Sequence, residues 1–167
     1  LREEMEKKGA TFHKGSMSSF ALTGKLQSGE YDVQGNVSSQ FITGLLITLP
    51  LLEGESKIKI IPPTESKSYI DITISVLKKF GIKIEEQENI YIIKGNQKFV
   101  SPEEITVEGD WSNASFFLCA GALSEKGVTV TAHDMKSPQG DKRILDILKT
   151  MVTDVVINEN KKKKKKN

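Results

Sequence analysis

An internal repeat is the feature of this chain that most limits its possible folds. The segment Glu30–Phe41 matches Glu104–Ser115, 74 positions later, and the two copies share Glu, Val, Gly and Ser at equivalent places. Solenoid repeats have periods of roughly 20–50 residues, so this longer spacing indicates a larger unit made of several strands and helices. The sequence therefore predicts two related α/β units in tandem.

The first copy places polar residues where a strand gives way to a helix. An alternating run that ends at Gly35 predicts the strand, and the apolar run Phe41–Leu49 predicts a buried helix. Ser38, Ser39 and Gln40, which we call the Ser-Ser-Gln cluster, fall at the helix start, where free backbone N–H groups can bind a phosphate. The serines could equally cap the helix. A capping box needs Gln or Glu three residues after the cap, so the Gln40 amide is left free for a ligand.

Apolar periodicity, with breaks at Gly and Pro, orders the elements along the chain. A helix at residues 1–10 and strands over 11–26 come first. The predicted elements that follow are strand 30–35, helix 38–52, strand 56–61, helix 67–80, strands 82–86 and 90–94, strand 105–108, helix 112–124, strand 128–132, helix 141–151 and strand 155–158. The first unit has the order βαβαββ, and the second stops one strand short. Strands separated by helices indicate crossovers, so we expect α/β units with partly parallel sheets.

Composition excludes several classes of protein. The 167 residues are 37% hydrophobic, enough for a packed core, and no apolar run approaches the roughly 20 residues of a membrane span. The single cysteine, Cys119, excludes a disulfide framework and predicts a packed, reduced thiol in a cytoplasmic protein. His13 and His133 have neither metal-ligand spacing nor the order of a hydrolase triad.

The formal net charge of +2 comes from a lysine run near the C-terminus. Lys161–Lys166 carry +6, so the remaining residues carry −4. Such a run can bind nucleic acid, but no aromatic residues that could stack on bases are interleaved with it. We therefore expect residues 159–167 to be a disordered or artefactual lysine-rich tail. The chain starts at Leu1 inside a helical pattern, which indicates a piece of a longer protein.

Other candidate residues lie near predicted helix starts. Ser66 precedes the second helix of the first unit, where it could join the Ser-Ser-Gln cluster around one phosphate or simply cap its own helix. Lys67, which follows it, is predicted to be a solvated charge rather than a phosphate ligand. Glu108 and Asp110 would share one face of a strand and could serve acid–base chemistry. Asp110 could equally cap the helix that begins at Ser112.

Four segments resemble signatures of the enolpyruvyl transferases, and within them of the EPSP synthase branch. These segments are Gly35–Phe41, Glu65–Thr73, Val107–Ser115 and Gln139–Asp141. They follow one another in the same order as the family's signatures and at fitting distances. A related branch that acts on UDP-N-acetylglucosamine shares the fold but lacks the Ser-Ser-Gln signature. The sequence departs from the resembled pattern at Ser68, where proline is usual, and at Val152, where glycine is usual.

The resemblance implies two domains, each an inside-out α/β barrel of three βαβαββ units, with substrates bound between them. Residues 1–106 would be the latter part of one domain, with one partial and one full unit. Residues 107–158 would be the incomplete first unit of the other. The implied reaction transfers the enolpyruvyl group of phosphoenolpyruvate to the 5-hydroxyl of shikimate 3-phosphate, in the shikimate pathway, without a metal or organic cofactor.

The same resemblance implies roles for individual residues. Ser38, Ser39 and Ser66 would hold the phosphate of shikimate 3-phosphate, and Gln40 would contact both substrates. Tyr69 and Asp110 would lie near the shikimate ring. The family's catalytic residues belong to segments outside residues 1–158, so this piece of a cytoplasmic, monomeric enzyme is expected to be inactive alone. Two other hypotheses stay open, namely a non-catalytic module for a phosphate-bearing ligand and a nucleic-acid binder with a basic tail.

Overall fold

A computed structural model describes residues 1–15, 19–65, 67–151 and 154–158. Ser66, Val152 and the lysine run therefore lie outside the described residues. The chain divides into two compact units, unit 1 (Leu1–Thr106) and unit 2 (Val107–Asn167). Unit 1 contains α1 (Arg2–Lys7), β1 (Ala10–Lys14), β2 (Phe20–Gly24), β3 (Glu30–Gln34), α2 (Ser39–Thr48), β4 (Glu55–Ile61), α3 (Lys67–Lys79), β5 (Glu85–Gln87) and β6 (Ile90–Lys94). Unit 2 contains α4 (Trp111–Ala122) and α5 (Ile144–Thr150), the latter preceded by a 3₁₀ turn, Gly140–Arg143.

A four-stranded mixed sheet organises unit 1. Its strand order is β3-β4-β6-β5, with β3 parallel to β4 and β6 antiparallel to both of its neighbours. The parallel pair confirms the predicted crossover, because α2 must carry the chain back to the start of β4. β1 and β2 form a separate antiparallel pair, as the early strand pattern predicted. The βαβαββ order of the first unit is therefore correct.

The two faces of this sheet have different chemistry. One face packs against α2 and α3, and its core residues include Tyr31, Val33, Ile58, Ile60, Tyr91 and Ile93. On the other face, Glu30 lies opposite Lys57 and Asp32 lies opposite Lys59. Opposite charges in facing positions stabilise a strand pair by roughly 0.2–1 kcal/mol. Alternation along each strand thus directs apolar side chains to the helices and charged ones away from them.

Three element boundaries in unit 1 differ from the predictions. The helix predicted at residues 1–10 ends at Lys7, and Ala10 begins β1. The helix expected to reach Leu52 ends at Thr48 and continues as a 3₁₀ turn, because Pro50 has no N–H group and interrupts the helical hydrogen bonds. The strand predicted at 82–86 is displaced to Glu85–Gln87. Gln97 explains the displacement, since its Oε1 accepts the N–H of Lys83 at 2.8 Å and its Nε2 donates to the Lys83 carbonyl at 3.0 Å. The amide of Gln97 thus makes the backbone hydrogen bonds at Lys83 that a neighbouring strand would otherwise make.

No strand forms at residues 105–108, 128–132 or 155–158, so the strands predicted there are wrong. The described regular elements of unit 2 are all helical. Gly109, which directly follows the first of these segments, donates its N–H to the carbonyl of Ala132 in the second (2.7 Å). Ala132 has a φ of +65°. A residue in this left-handed conformation cannot continue an extended strand, so no ladder develops from the contact.

The core of unit 2 forms around Trp111, which is 3% exposed and packs with Ala114 and Leu145. The outer side of α4 is different, because Phe116 and Phe117 are 73% and 62% exposed. Cys119 is also exposed. The expectation of a packed thiol is therefore wrong, since α4 buries only one side within the described part of unit 2.

Tyr31 should make the stability of unit 1 depend on alkaline pH. Its ring is fully buried, and its hydroxyl donates to the carbonyl of Gln27. Burial, with the charge of Glu4 as a second cause, raises the pKa of Tyr31 to about 12. An unfolded tyrosine titrates at about 10, so this stabilisation is complete below pH 10 and is lost as the pH rises towards 12.

The change is measurable by urea unfolding across this pH window. The free energy of unfolding should fall more steeply for the wild-type chain than for Tyr31→Phe, which has no ionisable hydroxyl. Every other residue is the same in the two proteins, so the difference between the two curves isolates Tyr31. Parallel curves would contradict the prediction.

Candidate functional site

Two helix starts lie side by side in unit 1. β3 and β4 are parallel, so their carboxyl ends lie at the same end of the sheet. α2 and α3, which follow these strands, therefore begin at that end. Gly35 joins the two connecting segments through its backbone. Its N–H donates to the carbonyl of Ile61 at 2.9 Å, and its carbonyl accepts the N–H of Glu65 at 3.0 Å.

A threonine pair fixes which sides of the helices face each other. The Oγ1 atoms of Thr43 on α2 and Thr73 on α3 are 2.9 Å apart. Ser39 precedes Thr43 by four residues, and Tyr69 precedes Thr73 by four. Residues four apart share one side of a helix, so Ser39 and Tyr69 lie one turn closer to the helix starts. Tyr69 is 51% exposed there.

The Ser-Ser-Gln cluster combines a helix cap with free polar groups. Ser38 is the N-cap of α2, and its Oγ accepts the N–H of Gln40 at 3.2 Å. The capping alternative is therefore correct for Ser38. Ser39 is half-buried and Gln40 exposed, and neither side chain has a hydrogen-bond partner among the described residues. Their polar groups can therefore reach a ligand.

The charges near these helix starts favour an anion without supplying a free cation. Neither first turn contains an acidic residue, and the partial positive charge of a helix N-terminus stabilises an anion by about 0.3–1 kcal/mol. Lys67 is exposed, as expected for a solvated charge, but it has carboxylate partners. Its ammonium is ion-paired with Asp71 at 3.0 Å and with Glu86 at 2.8 Å.

The predicted carboxylate pair of unit 2 serves two separate networks. Asp110 caps α4, with its Oδ1 accepting the N–H of Ser112 at 2.8 Å. Glu108 accepts hydrogen bonds from Ser137 Oγ at 2.8 Å and from Gln139 Nε2 at 3.1 Å. Both carboxylates are therefore occupied, and these contacts favour the cap over the acid–base interpretation.

Gln139 makes contacts with the turn before α4 that were not predicted from the sequence. Its Oε1 accepts the N–H of Trp111 at 2.8 Å, and its Nε2 donates to the carbonyl of Gly109 at 3.0 Å. These bonds hold the turn before α4. The Gln139–Asp141 signature was the available signal, but the sequence does not show which backbone groups a glutamine will meet.

Two other kinds of site, a metal centre and a membrane span, are not found among the described residues. In the described ranges, no three His, Cys, Asp or Glu side chains are grouped so as to hold a metal ion. No helix in those ranges is both long and apolar enough to span a membrane. A groove of about 330 Å³ in unit 1 is lined by Gly81, Lys83, Ile92, Lys94 and Lys98, among others, and contains none of the predicted site residues.

Comparisons with known proteins agree on one family. The family model described as EPSP synthase (3-phosphoshikimate 1-carboxyvinyltransferase) matches residues 3–167. The chain is 49% identical over 148 residues to the 3-phosphoshikimate 1-carboxyvinyltransferase of Clostridium novyi, covering 87% of the chain and 34% of that relative. It is 42% identical over 154 residues to the protein of the same name from Methanococcus maripaludis strain C6, covering 90% and 36%.

Solved structures give the same result. EPSP synthase from Acinetobacter baumannii superposes with a TM-score of 0.68 at 25% identity, over 90% of this chain and 33% of that one. The enolpyruvyl transferase NikO from Streptomyces tendae, at a TM-score of 0.51 and 18% identity, shares the fold. The chain spans about a third of the length of the curated relatives it matches. With the family model covering nearly every residue, the chain belongs to the EPSP synthase (3-phosphoshikimate 1-carboxyvinyltransferase) family.

Proposed function

We propose that the protein transfers the enolpyruvyl group of phosphoenolpyruvate to the 5-hydroxyl of shikimate 3-phosphate. We propose further that unit 1 of this chain supplies part of the shikimate 3-phosphate site. Family membership supports the reaction. The observation that carries the site is the Thr43–Thr73 contact, which brings Ser39 and Tyr69 to adjacent helix starts.

In this proposal the residues of unit 1 bind and orient the sugar phosphate. Its phosphate accepts hydrogen bonds from the free N–H groups of the helix starts and from the hydroxyls of Ser38, Ser39 and Ser66. The Gln40 amide can donate to an oxyanion of either substrate and accept from a sugar hydroxyl. Tyr69 offers a hydroxyl and an aromatic face to the ring. A fixed ring places the 5-hydroxyl for attack, and such positioning can lower a barrier by several kcal/mol.

The proposed transfer is an addition followed by an elimination. The 5-hydroxyl loses its proton as its oxygen bonds to C2 of phosphoenolpyruvate, and C3 gains a proton, which gives a tetrahedral adduct. Loss of phosphate from C2 and of a proton from C3 then restores the double bond. The resemblance assigns these proton transfers to residues outside 1–158, so we propose that this chain binds shikimate 3-phosphate but does not catalyse the reaction alone.

The remaining parts of the proposal concern the whole protein. Unit 1 would be the latter part of one domain and unit 2 the incomplete first unit of the other. A role for Asp110 near the shikimate ring stays a prediction. Both of its carboxylate oxygens already accept hydrogen bonds, Oδ1 from the backbone N–H of Ser112 and Oδ2 from the side-chain amide of Asn113. We also propose a cytoplasmic monomer, and a single cysteine suits a reducing compartment.

Calorimetric titration of the chain with shikimate 3-phosphate tests the site. The sugar phosphate should bind saturably and more tightly than inorganic phosphate, and Gln40→Ala should weaken it about tenfold, the effect of losing a hydrogen bond to a charged group. Gln34→Ala is the matched control, because Gln34 is exposed on β3. Equal affinity for the two ligands, in a chain folded by circular dichroism, would contradict the proposal.

A chimera tests the reaction. Residues 3–158 of this chain would replace the matching segment of the Clostridium novyi relative. Phosphate release from phosphoenolpyruvate in the presence of shikimate 3-phosphate should persist, and Gln40→Ala should reduce kcat/KM about tenfold. A folded but inactive chimera would argue against the assignment.

A further inference from the structure

Lys67 connects the start of α3 to the edge of the sheet. Its ammonium contacts Asp71 Oδ1, one turn along the same helix, and Glu86 Oε1 on β5. Glu86 is the cross-strand partner of Tyr91, which is buried in the core of unit 1. The ion pair with Glu86 therefore joins the first turn of a helix to a strand that is anchored in the core.

Helix electrostatics alone would disfavour a lysine at this position. A cation in the first turn meets the positive end of the helix dipole, which costs free energy. The two carboxylates offset this cost, and they hold the pKa of Lys67 above its usual range, Glu86 contributing most. Because the side chain is 51% exposed, its ion pairs contribute little to global stability. Their main effect is to fix the position of the ammonium.

The helix start fixed in this way is one of the two that form the proposed phosphate site. Lys67 follows Ser66 directly and precedes Tyr69 by two residues. Two of the three donors of its ammonium are held by carboxylates, which direct the ammonium towards Asp71 and Glu86. We infer that Lys67, held by Glu86, is a positioning residue that sets the first turn of α3 for shikimate 3-phosphate, and is not a phosphate ligand. This inference rests on the proposed function.

The two possible roles of Lys67 predict effects of opposite sign for Glu86→Ala. Loss of the contact loosens the helix start, so a positioning role predicts weaker binding. A ligand role predicts tighter binding, because the substitution frees the ammonium to reach the phosphate. Removal of a negative charge near an anion site also favours binding by Coulomb's law, so weaker binding cannot come from charge alone. Glu85→Ala is the matched control, since it removes the same charge from β5, and Glu85 forms no ion pair with described residues.

The experiment compares the 167-residue chain with Glu86→Ala, Glu85→Ala and Lys67→Arg by calorimetric titration with shikimate 3-phosphate. Glu86→Ala should bind shikimate 3-phosphate about three- to tenfold more weakly than Glu85→Ala. This loss is smaller than the largest losses that misplaced binding groups can cause. Lys67→Arg should stay within about twofold of wild type, because arginine can keep both ion pairs. The ¹⁵N heteronuclear NOE of residues 67–70 in the free protein should fall in Glu86→Ala only.

Two results would overturn the inference, and they are distinguishable. If Glu86→Ala binds as tightly as Glu85→Ala or more tightly, Lys67 is not a positioning residue, while the proposed site stands. If the folded wild-type chain binds no shikimate 3-phosphate, the proposed site fails, and the inference fails with it.

Discussion

Gly35→Ala should weaken shikimate 3-phosphate binding at least about tenfold and lower the free energy of unfolding of unit 1 by about 2 kcal/mol. A Cβ at this position would lie 2.8 Å from Ile60 Cγ2, 2.9 Å from the Pro63 carbonyl oxygen and 3.0 Å from Thr64 Cα. Two of these atoms belong to the backbone that leads into α3. That backbone must move to admit the methyl group, and its movement separates the two helix starts.

Gly44→Ala is the control for this substitution. Gly44 lies within α2, and a Cβ there would meet nothing within 4 Å. Alanine is favoured over glycine in a helix by about 1 kcal/mol, so this variant should be slightly more stable and bind as wild type. Urea unfolding followed by circular dichroism and calorimetric titration would measure both effects. Unchanged binding in Gly35→Ala would show that the two helix starts do not depend on this backbone contact.

Leu46→Ala should have the largest effect on stability, lowering the free energy of unfolding of unit 1 by about 3–4 kcal/mol. Leu46 is fully buried between α2 and the sheet, in the same core as Ile58 and Tyr91. Truncation there removes apolar contacts and leaves a cavity that a packed interior fills only in part. The loss is a large fraction of the 5–15 kcal/mol that stabilises an ordinary domain.

Ile47→Ala is the matched control, because it removes a side chain of the same size from the next residue, which is 45% exposed. It should cost less than about 1 kcal/mol. Urea titrations of the two variants with circular dichroism give the comparison directly. Equal destabilisation would contradict the packing of α2, since only one of the two residues faces the core.

Elements whose pattern is contained in their own residues were predicted well. β4, α3 and β6 lie within one residue of their predicted bounds, because the alternation of a half-buried strand and the 3.6-residue period of an amphipathic helix are local properties. The serine cap of α2 and the aspartate cap of α4 were recognisable for the same reason. A capping residue and the N–H group that it accepts are only two or three positions apart.

The errors arise where distant residues decide the outcome. The segment 128–132 has the composition of a strand, but a strand also needs a partner, and Ala132 turns the backbone away. The pairing expected at Lys83 is supplied instead by the amide of Gln97. Cys119 lies in an apolar run, yet its helix buries only one side in the described part of unit 2. Sequence patterns describe what a segment favours and not what lies beside it.

The same contrast between local patterns and contacts of distant residues applies to the candidate site. Residue type and position at a helix start identified the Ser-Ser-Gln cluster, and the resemblance added Tyr69. The contact between Lys67 and Glu86 joins residues that are 19 positions apart, on elements whose spacing only the folded sheet determines. The bonds from Gln139 to the turn before α4 bridge about 30 positions in the same way.

The two edges of the sheet in unit 1 have consequences for self-association. β5 is only three exposed residues long and carries two glutamates, and a short, charged edge strand resists pairing with another chain. β3 is longer, and at this edge Glu4 of α1 accepts the N–H of Asp32 at 3.4 Å. Without α1, the open backbone groups of β3 would offer a template for strand addition. The first helix of this chain therefore shields part of this edge from pairing with another chain.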